Sequence, residues 1–470
     1  MASRSLRSAL PIGSLLVCAA LCAQPAPPPG AAPPNGPPPG FAPPGAPVSY
    51  SAAVLVKDGV YRANPALASA LSGGRIDNAS ARGVTIRSAA DQVNGLVANG
   101  SSAFTLADSR IELAGKGASD FDGIAAGALA RDKAKLVLKN VTITTRGVVS
   151  SAVTATDETT LEVRGSTLTA FGGPLPSGYV RRIGPGMMEP PTPLGIVGTA
   201  RTTLTMGAAK AYYYDSTISA DGWGALSTDA AHGAYLEANR CTIRVRRSGY
   251  GTYADNGATV VINDSTIDAA TFGGVIAGQA KLTLRRVQGR SDGNAVMIHS
   301  VMGSPAEWAT LTLEGGRFES TNAAILVKSA NAEITVDGTV LNAKNGDLLL
   351  GVVNDDTNRT AVKGRPVSGI RATLRNTALQ GNILQLDGER PMEVKFEATT
   401  LKGVIRDATI WLDEHSRWIA TADSKVALEA PFDLRRVDAP AGVTINARAV
   451  DGAVAAGRHP LPGGGVLDVR

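Results

Sequence analysis

The sequence predicts an all-β chain wound as a parallel β-helix, a β-solenoid of about a dozen coils with capped ends. Three observations predict it. Pairs of apolar residues five positions apart, with turn formers between them, recur from about residue 100 onward. The recurrence has a basic period of 22–25 residues. No helical apolar pattern runs between the pairs.

Composition is compatible with this. The 470 residues carry 46 Lys plus Arg against 41 Asp plus Glu, a formal charge of +5. Apolar residues reach 44%, enough for a sizeable core, which excludes a wholly disordered chain. Aromatics are only 4% and glycines number 53, so the core must be aliphatic and the turns many. The balanced charge leaves no basic footprint for nucleic acid.

Residues 1–23 read as a secretory signal peptide. Arg4 and Arg7 precede the short apolar run from Leu15 to Leu21, and cleavage is expected near Ala23. That run is too short to span a bilayer. Export to the periplasm, cell surface or medium follows. Lipidation at Cys22 is left open, although the bulky Leu21 before it makes a poor acylation signal. Cleavage past Cys22 leaves Cys241 as the sole cysteine, so no internal disulfide is expected. Residues 24–48 are proline-rich, with 12 prolines between positions 24 and 47, and read as a polyproline-II or flexible spacer. No later stretch has 18 consecutive apolar residues, so no transmembrane helix is expected in the mature chain. Residues 49–470 read as a single β-helix domain.

Residues 50–90 are expected to cover the N-terminal strand edge, beginning with Val54-Leu55-Val56-Lys57-Asp58-Gly59. The coils follow. Leu106 pairs with Ile111, Leu138 with Ile143, Val163 with Leu168, Tyr213 with Ile218, Ala238 with Ile243 and Ile262 with Ile267. Later pairs are Leu313 with Phe318, Val336 with Leu341, Leu374 with Leu379 and Phe396 with Leu401. The first members should stack, one coil on the next, about 4.8 Å apart. A leucine-rich repeat has a similar period, but its Asn and Leu consensus is missing. Ser109, Ser166, Ser216 and Ser265 recur just before the second member, where a hydroxyl can bond the turn backbone. Asn99, Asp132, Asp157, His232, Asn256, Gln279 and Ser329 recur five to seven residues before the first member. This polar column reads as turn capping, or as a cation or sugar site where Asp132 and Asp157 adjoin.

Val163 and Tyr213 are 50 residues apart, two periods. Residues 170–211 therefore hold either a degenerate coil around Leu204 or a lateral loop, and the Pro- and Gly-rich first part favours the loop. About half of the chain's aromatics lie between residues 171 and 272. Trp223, Tyr250 and Phe272, each next to glycine, are equivalent positions in successive coils. They form either a covered aromatic ladder or an exposed stacking platform for sugar rings. In the second case the candidate ligand-binding residues are Arg181, Arg182, Tyr212, Trp223, Asp229, His232, Tyr250 and Tyr253. Residues 404–470 are expected to close the C-terminal end, with Trp411 and Trp418 as lids.

Gly222-Trp223-Gly224-Ala225-Leu226-Ser227-Thr228-Asp229, with Gly195-Ile196-Val197-Gly198 upstream, resembles secreted bacterial right-handed parallel β-helix proteins of the adhesin-like type. Ser416-Arg417-Trp418-Ile419-Ala420-Thr421-Ala422-Asp423-Ser424 resembles the closing coils of autotransporter passengers. The resemblance covers roughly residues 50–425. It implies the pectin-lyase-like fold and brings no established activity.

Enzymes of that fold gather Asp residues with an Arg, Lys or His. Here the acidic clusters are Ser119-Asp120-Phe121-Asp122-Gly123 and Asn354-Asp355-Asp356, and the four histidines are His232, His299, His415 and His459. The expected function is a non-catalytic exported protein binding a cell-surface ligand, a glycan. The competing class is a polysaccharide lyase or glycoside hydrolase acting on an acidic polysaccharide. No catalytic residue or metal ligand is assigned. No cofactor is expected, with calcium left open, and oligomeric state is not read.

Overall fold

Along Lys135–Lys139, Leu136 and Leu138 are buried while Lys135 and Lys139 are exposed, the two-residue period of a strand with one face against a core. The same alternation recurs along the chain, and the described residues are nearly all β. The computed structural model describes residues 49–300, 307–354 and 368–470. The predicted signal peptide, the proline-rich spacer, Cys22 and Asp355-Asp356 lie outside the described residues.

Each full repeat contributes three strands. Ala128–Ala130, Lys135–Lys139 and Thr142–Thr145 form one, and Val153–Ala155, Thr160–Arg164 and Thr167–Ala170 the next. Equivalent strands of successive repeats pair in parallel. The result is a large sheet of parallel strands in three faces, consistent with a β-solenoid.

The register carries the apolar stack position by position. Leu106, Leu138, Val163, Tyr213, Ala238, Ile262, Leu284, Leu313, Val336, Leu374 and Phe396 are paired in sequence. All are buried in one continuous core. Where the second-member stack reaches Gly289, the ring of Phe318 from the next repeat occupies the space a side chain would need.

Hydroxyls tie the turns together. The Ser166 hydroxyl donates to the Arg164 carbonyl and accepts from the Val141 amide of the preceding repeat. Ser109, Ser216 and Ser265 act alike. Cys241 stands in this spine in place of a serine, with Sγ 3.4 Å from the Asn239 carbonyl. The other polar column also caps amides. Asp157 accepts from the Asp132 amide at 3.0 Å and Asn256 from the Gln279 amide at 2.8 Å. Asp132 and Asp157 sit at φ of 61° and 63°, the left-handed turn geometry that short polar side chains tolerate.

Tyr213 pairs directly with Val163, so no extra repeat intervenes. The doubled interval is a lateral loop over 171–202. The strands Thr203–Gly207 and Lys210–Tyr214 belong to the stack, so the loop is shorter than the expected 170–211. At the N-terminus Ser51–Lys57 pairs antiparallel with Val60–Ala63 and parallel with Val93–Asn99. The C-terminal segment is not a plain cap. Parallel pairing continues through Ser424–Leu428, Thr444–Ala449 and Val466–Val469, and only Gly457–Pro460 closes it antiparallel. Trp418 is a stack member between Leu401 and Val437, its indole N–H donating to the Gly403 carbonyl. Trp411 faces outward.

Candidate functional site

Two long strands, Thr217–Ala231 and Thr242–Ala254, run around a corner of the stack and pair in parallel as far as Ser227 against Tyr253. The register then sets Asp229 beside Asp255, one strand spacing or about 4.8 Å apart. The same outward row continues through Ala277, His299 and Lys328 in later repeats. Toward the N-terminus it holds Met206, Thr156 and Arg131.

The row borders a second apolar cluster outside the main core. Trp223, Tyr250, Phe272, Val275 and Met297 lie on the sheet, and Met187, Leu194 and Ile196 of the lateral loop pack against them. Trp223 and Tyr250 are each 1% exposed. Tyr250 pairs with Phe272, but Trp223 pairs with Gly249, one place off Tyr250, so the three do not form a straight ladder. All are covered, and the rings of Trp223 and Tyr250 offer no face to a sugar. The physical reason is the loop. Its apolar residues need burial, and the outer face of the sheet supplies it. The Val197 carbonyl accepts from the Trp223 amide, and the Thr199 carbonyl from the Val149 amide.

Beneath this cover lies an ion cluster. Arg201, 1% exposed, donates through Nε to Asp120 Oδ2 at 2.7 Å and through Nη2 to both Asp120 and Asp229. Its guanidinium stacks 4.8 Å from the Trp223 ring centroid and 5.9 Å from that of Phe121. Burial acts to lower Arg201, but Asp120 and Asp229 hold it well above the usual guanidinium value. A buried charge with two carboxylate partners stays ionised. The segment around Asp120 is pinned from both sides. The Asp120 amide donates to the Met187 carbonyl, and Tyr50 donates to the Asp122 carbonyl.

Burial and the neighbouring Asp229 push the Asp255 carboxyl up to about 7. Burial, with a smaller push from Asp120, brings Asp122 to the same region. Asp229 instead has Arg201 on one oxygen and the Ala230 amide at 2.8 Å on the other. Two adjacent carboxyl groups are thus held in contrasting environments, the arrangement by which one acts as acid and the other as base or nucleophile. Tyr253 is partly buried against the second apolar cluster, its ring 5.0 Å from that of Tyr250, whose hydroxyl meets Ser227 at 3.1 Å.

The eight candidate residues do not form one site. Asp229, Tyr253, Trp223 and Tyr250 converge on the first face, the last two as its packing. His232 is exposed on the turn beyond Asp229. Arg181 is tied within the loop to Glu189 and to Thr192 Oγ1, and Arg182 is half-buried with its Nε donating to the Val180 carbonyl. Tyr212 lies on the second face. Arg201 and Asp255 were not singled out in the sequence. The usable signal for Asp255 was register, since it stands 26 residues after Asp229 and two after Tyr253. Asp120 and Asp122 were visible as a cluster, but nothing local placed them over the sheet. Among the described residues no three His, Cys, Asp or Glu side chains converge as ligands for a metal. No protein-family model matches the chain, and no curated protein matches it.

Proposed function

We propose that the chain is an exported right-handed parallel β-helix of about a dozen coils that hydrolyses an acidic polysaccharide along its first face. The observation that carries the reading is the Asp229–Asp255 pair, with Arg201 on the first carboxylate and the second raised to about 7. The signal-like N-terminus supports export. Burial of Trp223 and Tyr250 removes the exposed platform on which non-catalytic binding at that place would rest.

Residues on adjacent strands, about 4.8 Å apart at the backbone, fit the closer of the two glycosidase arrangements, in which the carboxyl groups stand about 5–5.5 Å apart. In the proposed reaction the Asp229 carboxylate attacks the anomeric carbon while the Asp255 carboxyl gives its proton to the departing glycosidic oxygen. Asp255, now ionised, takes a proton from water, whose oxygen displaces Asp229 and releases the sugar. The test is release of reducing ends from polygalacturonate by the purified chain. Asp255→Asn should lower turnover at least about 100-fold, the lower end of the range that a positioned acid contributes, with circular dichroism unchanged. No release by the wild type from polygalacturonate or alginate, or equal rates in the two proteins, would overturn the proposal. Unsaturated products in place of hydrated ones would point to a lyase.

A further inference from the structure

Tyrosines also collect on a different face, away from the carboxylate pair. Along Lys210–Tyr214 and Tyr235–Asn239 the outward positions are Lys210, Tyr212 and Tyr214, then Tyr235, Glu237 and Asn239. Tyr213 alone of its triplet points into the core. In other repeats the matching outward positions hold mostly Thr, Lys, Glu, Arg or Val. Nothing in the fold calls for three tyrosines on this solvent-facing surface, since the core is already filled from beneath.

The rings are organised. Tyr212 and Tyr235 lie 5.7 Å apart at 49° and stay half-exposed. They stand in neighbouring repeats and two residues apart along the strand, Tyr235 opposite Lys210 and Tyr212 opposite Glu237, so the pair runs diagonally across the face. Arg164 lies 4.2 Å over Tyr214 and closes one end. Tyr235 donates to Glu237 Oε2 at 2.6 Å and Asn239 donates to Glu237 Oε1 at 2.9 Å. This chain of hydrogen bonds fixes polar groups beside the rings. Charges around the rings balance: Glu162 pairs with Arg164 and Asp215 with Arg240, leaving Glu237 opposite in sign to Lys210.

We propose that Tyr212 and Tyr235 form a second carbohydrate site that takes an uncharged chain of pyranose residues lying diagonally across the two repeats. An apolar sugar face rests on each ring, and Glu237, Asn239 and Lys210 meet hydroxyls at the rim. Ring spacing close to one sugar residue makes the pair suited to a linear chain rather than to a single sugar. The absence of net charge selects a neutral chain over a uronic acid polymer. The site is independent of the Asp229–Asp255 pair and stands or falls separately.

The test is calorimetric titration of the full chain with cellohexaose and xylohexaose. At least one should bind. Tyr212→Ala and Tyr235→Ala should each weaken it at least tenfold, while the paired Phe variants keep the rings and retain most affinity. Melting temperature should move little, because both side chains face solvent. Binding of neither probe, or affinity unchanged in both alanine variants, overturns the proposal. Asp255→Asn separates the two sites: it should leave oligosaccharide affinity intact while abolishing release of reducing ends from polygalacturonate.

Discussion

Asp255 makes a prediction that needs no substrate. An ordinary aspartate titrates near 3.9 in an unfolded chain, whereas Asp255 in the folded protein titrates at about 7. Between those values the folded state keeps a proton that the unfolded state has lost. Stability from this group is therefore complete below about pH 4 and is lost as pH rises through 7. Asp122 adds in the same direction. The melting temperature should fall from pH 4 to pH 8, and Asp255→Asn should flatten that fall. Equal slopes in both proteins would place Asp255 in water. Polysaccharide turnover should decline above about pH 7 for the same reason, because the acid has then lost its proton. These residues also mark where sequence reading stopped. Trp223 and Tyr250 were legible as neighbours in successive repeats, although the register sets them one place apart, and whether they face solvent depends on a loop whose docking no local pattern encodes. The Asp120–Arg201 contact joins residues 81 apart, and only the folded loop brings them together.

At the level of the strand, far more was legible. Every pair in the inward stack from Leu106 to Phe396 was readable from spacing, because a parallel ladder repeats one alternation and each inward position must be apolar. Two things hid from that logic. The repeat through Leu204 looked degenerate, since Thr203 and Thr205 sit inward where aliphatic residues were sought. The last strands, Thr444–Ala449 and Val466–Val469, lie in Gly-rich sequence with little apolar signal. Val163 tests the stack directly. It is wholly buried between Leu138 and Tyr213. Val163→Asp should cost several kcal/mol through an unpaired buried charge, or shift that carboxyl's titration instead. The check is thermal unfolding at pH 7, where an unchanged midpoint would remove Val163 from the core.

Across the whole molecule, the stack has contacts mainly between neighbouring repeats, so stability is a sum of local interfaces rather than the product of one compact centre. Its ends are closed alike: an antiparallel strand pair begins it and another finishes it. Cys241 gives this arrangement a built-in clock. The thiol is 2% exposed within the serine spine, and burial raises it to about 11. Thiol reagents attack the thiolate, so the native chain offers them almost none, and modification must await separation of the repeats around it. In residues 49–470, labelling by a chromogenic disulfide should be negligible in buffer and reach one equivalent in denaturant. Its rate at intermediate denaturant would time the opening of the middle of the stack, independently of fraying at either end. Rapid labelling in buffer would mean that the centre breathes as freely as the termini.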